Sequence, residues 1–114
     1  MSQASALASA QVRDAAPLFA ALGDETRLRL LVRLSSGGPG SIAQLRAKAP
    51  VSRQAITKHL EVLAEAGLVR SSRLGRERVW ELMPNRLGDA HEYLDRISRQ
   101  WDDALDRLKK LVEG

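Results

Sequence analysis

The chain has 114 residues, 44% of them hydrophobic and 28% charged, and its 18 Lys and Arg against 14 Asp and Glu leave a formal net charge of +4. That size suits one domain, and that apolar share can fill a core, so wholesale disorder is excluded. The absence of cysteine, with only two histidines (His59 and His91), excludes disulfides, thiolate metal sites, a thiol nucleophile and a histidine-rich metal cage.

Residues 1–11 are Ala/Ser-rich and read as a flexible tail. They lack the basic start and the apolar stretch of a signal peptide. No apolar run approaches the ~20 residues of a membrane helix, so a soluble cytoplasmic protein with no membrane partner is expected. One domain then spans 12–114. Its first helix is expected from about Val12 to Leu22, with Leu18, Phe19 and Leu22 as the apolar side and Gly23 as the break. Asp24 is a good N-cap for a second helix, and Glu25 suits the positive end of its dipole. Leu28, Leu31 and Val32 are assigned to its buried face. The helix should stop before the Gly37-Gly38-Pro39-Gly40 cluster.

Ser41 and Gln44 fit a capping box opening a short helix through about Lys48, which Pro50 ends by disfavouring helical geometry at Ala49. Ser52 caps the next helix, and Val51 with Ile56 fits a hydrophobic staple at its entry. Gly67 ends it. Ile56, Leu60 and Leu63 recur at helical spacing and should face the core. Arg53, Gln54, Thr57, Lys58 and Glu61 fall on the other side. Two short helices joined by a tight turn, the second exposing a polar face, describe a helix-turn-helix.

Val69–Arg73 and Glu77–Leu82 read as two strands joined at Leu74-Gly75-Arg76. Trp80 and Leu82 share the inward face, and Arg73, Arg76 and Arg78 cluster at the tip. A hairpin directly after a helix-turn-helix is a wing. The fold class is therefore mainly α with a β-hairpin wing, ordered α-α-α-α-β-β-α. The last helix, 86–113, places Leu87, Ala90, Leu94, Ile97, Trp101, Ala104, Leu108 and Leu111 at alternating spacings of 3 and 4, an a/d heptad. This stripe exceeds what so small a domain can cover. A homodimer is expected through the terminal helices, with Leu87, Leu94, Ile97, Trp101 and Leu108 at its interface.

Charge follows this plan. Residues 1–40 carry four basic and three acidic side chains, residues 41–85 eight and four, and residues 86–114 six and seven. The excess lies in the helix-turn-helix and wing, which points to a polyanion there. Arg and Lys suit guanine, Gln suits adenine, and Ser and Thr suit base or phosphate. Ser52, Arg53, Gln54, Thr57, Lys58 and His59 are thus candidates to meet double-stranded DNA, His59 equally as a structural residue on the helix flank. Arg73, Arg76 and Arg78 would meet phosphate or the minor groove. Asp89-Ala90-His91 offers two metal ligands where zinc takes four, so no metal site and no cofactor are assigned. With no cysteine, two separated histidines and no Gly-rich phosphate loop, the chain does not read as an enzyme. The alternative is a dimeric winged-helix adaptor binding protein, which would not need arginines on the wing.

Phe19 to Leu31 (FAALGDETRLRLL), Ser52 to Leu60 (SRQAITKHL) with Glu65-Ala66-Gly67-Leu68-Val69, and Arg76 to Leu82 (RERVWEL) resemble the opening, recognition helix and wing of ArsR/SmtB-family transcriptional repressors. The resemblance covers about residues 17 to 83. It implies a dimeric winged-helix repressor on an inverted-repeat operator. It implies DNA contacts from Ser52, Arg53, Gln54, Thr57, Lys58, His59, Arg76 and Arg78, and a dimer built from the first and last helices. The metal sensors of that family carry a cysteine pair on the helix that here reads Ile42-Ala43-Gln44-Leu45-Arg46. Others use an Asp-x-His that Asp89 and His91 match, with a second pair that Asp102 and Leu105 break. The chain resembles the cysteine-free branch, and the resemblance names no effector.

Overall fold

The computed structural model describes residues 2–47 and 51–113, and of residues 2–10 only the backbone. The elements are α1 (Ser2–Leu22), α2 (Glu25–Gly37), β1 (Gly40–Ser41), α3 (Ile42–Arg46), α4 (Arg53–Glu65), β2 (Val69–Leu74), β3 (Glu77–Leu82) and α5 (Pro84–Glu113). α1 starts ten residues before the expected Val12. Ala4, Ala6, Ala8 and Ala10 supply the residue with the highest helix propensity, so the Ala/Ser richness that suggests a tail also suits a helix.

α2 begins as its cap predicts. The Asp24 carboxylate accepts from the Arg27 backbone N–H at 3.0 Å. Its buried face differs from the expected one: Leu30, Leu31 and Leu34 enter the core, while Leu28 and Val32 are exposed. Both rows repeat at helical spacing, and the row with three leucines buries more apolar area. The capping box on α3 is complete. Ser41 Oγ accepts from Gln44 N at 3.3 Å, and Gln44 Oε1 accepts from Ser41 N at 2.9 Å. The expected continuation to Lys48 and the stop at Ala49-Pro50 lie outside the described residues.

α4 is the centre of the core. Ile56, Leu60 and Leu63 are each 0% exposed, and Val51 packs beside them as the staple requires. Gly67, at φ 77°, closes the helix. Its N–H donates to Ala64 O at 3.0 Å, and the Leu68 N–H donates to Leu63 O at 2.9 Å. A Cβ on Gly67 would sit 3.0 Å from Arg86 Cγ. Gly67→Ala should therefore destabilise the fold by about 1–2 kcal/mol from left-handed backbone strain alone, read as a lower denaturant midpoint at unchanged slope.

The sheet runs β1-β3-β2, all antiparallel. β1 is an element beyond the expected α-α-α-α-β-β-α order. Gly-Pro-Gly-Ser carries loop chemistry, and only the edge of β3 recruits Gly40 and Ser41 into a ladder, opposite Trp80 and Val79. The hairpin turn is two residues, Gly75 and Arg76, with φ 66° at Gly75 and no positive φ at Arg76. That is a type II′ turn, whose twist suits adjacent strands. Trp80 is 1% exposed and anchors the hairpin on the helices; its indole N–H has no protein partner among the described residues, so packing holds it.

α5 packs its first turns on α1. Leu87 and Ala90 join the core, and the Phe19 and Tyr93 rings lie 5.8 Å apart. Arg86 bridges the two helices, donating to the Asp14 carboxylate at 3.2 Å, the Asp14 carbonyl at 3.2 Å and Asp89 at 3.0 Å. These partners, Asp89 first, hold its guanidinium even more firmly protonated than usual.

Candidate nucleic-acid interface

The N-terminus of α4 is shaped by its cap. Ser52 Oγ accepts from the Ala55 N–H at 3.1 Å, which caps the helix and leaves the hydroxyl proton free to donate. With the apolar row of α4 buried, the fold leaves Ser52, Arg53, Gln54 and Lys58 exposed along one flank. Thr57 is half-buried, and its hydroxyl donates to Arg53 O at 2.9 Å. Its oxygen is left as an acceptor and its methyl as an apolar contact, so Thr57 suits an amino group or a thymine methyl better than a phosphate.

On the wing, Arg73 and Arg78 are direct cross-strand partners. Arg78 lies down along the sheet. Its guanidinium carbon is 4.8 Å from the Trp80 ring centroid, and its Nε donates to Ser71 Oγ at 3.0 Å. This stacking holds one charge of the pair in place. Arg76 sits in the exposed turn. Arg70, three rungs further down, is neutralised by its cross-strand partner Glu81 at 2.6 Å. The wing therefore keeps Arg73, Arg76 and Arg78 at the tip and cancels charge at the base.

His59 stands apart from this set. At about 100° per residue it projects from the flank of α4 opposite Gln54 and Glu61. Its Nδ1 lies 3.2 Å from Arg27 Nη1 and 3.8 Å from the Asp24 carboxylate. The Arg27 backbone N–H holds the Asp24 carboxyl below its ordinary value, outweighing the opposing effect of burial, and the charge of Arg27 adds to it. The row Ala55, His59 and Val62, all half-buried at helical spacing, is the signal in the sequence that places this histidine inward.

Arg46 was not among the candidates. It is exposed at the end of α3, its Nε donates to Val51 O at 3.3 Å, and with Arg53 it lines a shallow groove of about 340 Å³ between the two helices. Its sequence signal was a basic residue in the last turn of the helix before the recognition helix. On α5 the expected interface residues divide. Leu87 packs on its own chain's core and Ile97 is half-buried, whereas Leu94, Trp101 and Leu108 are exposed at 53%, 65% and 57%. Among the described residues no three His, Asp or Glu side chains gather as a metal site, and no helix is long and apolar enough to cross a membrane.

A family profile described as a helix-turn-helix domain matches residues 22–72, from the end of α1 into the wing. The HTH-type transcriptional regulator Rv2034 of Mycobacterium tuberculosis is 38% identical over 94 residues, which span 82% of this chain and 84% of that one. An ArsR-like transcriptional regulator from Rhodococcus sp. RHA1 superposes with a TM-score of 0.84 at 38% identity, over 92% of this chain and 95% of that one. The chain belongs to the ArsR-like family of helix-turn-helix transcriptional regulators. The uncharacterized HTH-type regulator YuzN of Bacillus subtilis is 43% identical over 68 residues, 54% of this chain and 74% of that one. As an ArsR-like regulator the chain is a DNA-binding protein of transcription and not an enzyme. Its fold is the family's winged helix, with α3 and α4 as the helix-turn-helix and β2–β3 as the wing.

Proposed function

We propose that this regulator binds an inverted-repeat operator as a homodimer, in the cytoplasm, and represses transcription by occupying promoter DNA. Arg53, Gln54, Thr57 and Lys58 of α4 read base edges or phosphates in the major groove, with Ser52 holding the helix N-terminus that faces the backbone. Arg73, Arg76 and Arg78 of the wing meet phosphate or the minor groove.

The observation that carries this reading is the direct cross-strand pairing of Arg73 with Arg78. Like charges set opposite one another destabilise a hairpin. Arg70 three rungs away has a glutamate opposite it, so this hairpin can carry a neutralising partner where one is wanted. Two unneutralised arginines at the tip suit a polyanion that arrives from outside the chain. A protein-binding adaptor has no use for them. The homodimer rests on the apolar stripe of α5 that its own chain leaves bare, Leu94, Trp101, Leu105, Leu108, Leu111 and Val112.

Selection of bound fragments from the source genome should enrich a two-fold symmetric sequence with half-sites about one helical turn apart. The same fragments placed before a promoter should lower transcript yield when protein is added. Failure to enrich any sequence would favour the adaptor.

A further inference from the structure

We propose that Arg27 and His59 form a positioning pair that sets the rotation of the recognition helix and takes no part in touching the operator. The inference rests on the operator-binding reading. One guanidinium ties three helices together. Arg27 Nε donates to Ala21 O at 2.6 Å and Nη2 to Ala20 O at 3.3 Å, which satisfies carbonyls at the C-terminal end of α1. Nη1 is 3.2 Å from His59 Nδ1 in the middle of α4. The same residue's backbone N–H binds the Asp24 cap of α2.

Guanidinium nitrogens only donate. The bond therefore needs a bare Nδ1 on His59, with the ring proton on Nε2. This fixes the ring and, through it, the angle of α4 about its own axis. Base readout tolerates misplacement of only about 0.5 Å or 10–20°, and Lys58 is the next residue along. Because α1 also packs on α5, the Arg27 clamp references the reading face to the helices expected to pair two subunits. The Nδ1 edge of the ring is turned to Arg27 and Asp24, and the side chain is 77% covered.

The test measures affinity for the selected operator and for an unrelated duplex, across a salt series, in the full chain. Arg27→Gln and His59→Ala should each weaken operator binding about tenfold while leaving the unrelated duplex and the salt slope as in wild type. His59→Asn, whose side-chain oxygen can take the place of Nδ1, should restore most of the loss. A salt slope shallower by about 0.9 in His59→Ala would mean a phosphate contact and overturn the proposal. Equal losses on both duplexes with no rescue by His59→Asn would mean a merely structural role and overturn it too. Should Arg27→Gln not fold, the two His59 variants carry the test. If the wild-type chain binds both duplexes alike, the operator reading itself fails, and this inference with it.

Discussion

Arg53→Ala or Lys58→Ala should weaken operator binding by about 10- to 100-fold while leaving the dimer whole. Both side chains are exposed on α4 and neither touches the core, so the fold has little to lose. A good bidentate contact to a base is worth about 1–3 kcal/mol of discrimination. The two variants should differ in kind. Arg53 sits in the first turn, where helices of this type reach base edges, so its loss should relax preference at one position of each half-site. Lys58 lies a turn further on. If it meets a phosphate, its loss weakens all sequences alike and reduces the salt slope by about 1. Titration of operator and scrambled duplexes by fluorescence anisotropy separates the two. Wild-type affinity in both variants at physiological salt would refute the assignment of α4.

Trp101→Glu should convert the dimer to monomers at micromolar concentration. In a single chain Trp101 is 65% exposed, and Leu105, Leu108, Leu111 and Val112 continue the bare stripe to the end of α5. Covering one such side chain is worth about 1.5–3 kcal/mol. A two-fold interface contains each residue twice, so the substitution removes two tryptophans and sets two carboxylates against apolar surface. The isolated chain should keep its fold, because the core lies around α4 and Trp101 is not part of it. Light scattering gives the mass, and circular dichroism the helix content. Operator affinity should fall with the dimer, since the half-sites are then bound one at a time. A dimer indifferent to this substitution would remove α5 from the interface.

The contrast between Trp101 and Leu87 shows how far a heptad can be read. Both occupy the same unbroken spacing. Leu87 packs on its own chain's core because α1 comes within reach of the first turns of α5; Trp101 lies beyond it. Spacing reports that a stripe is apolar. It does not report which neighbour covers it.

The same division runs through the molecule. Caps, staples and turns act over three or four residues, so their physics is written in adjacent side chains. Asp24, Ser41 with Gln44, Ser52, Gly67 and Gly75 all stand where the sequence places them, and the helix-turn-helix, the wing and the location of the charge excess follow from them. Tertiary structure decided what depends on distant partners. It chose Leu30, Leu31 and Leu34 over Leu28 and Val32, because only one face of α2 meets α4. It drew Gly40 and Ser41 into a strand, because β3 had an unpaired edge. It set His59 against Arg27, 32 residues earlier in the chain. Local rules act through bonds and short loops, and so are legible in sequence order; burial and long-range pairing are properties of the assembled core, where alternatives of equal periodicity are separated only by what each one meets.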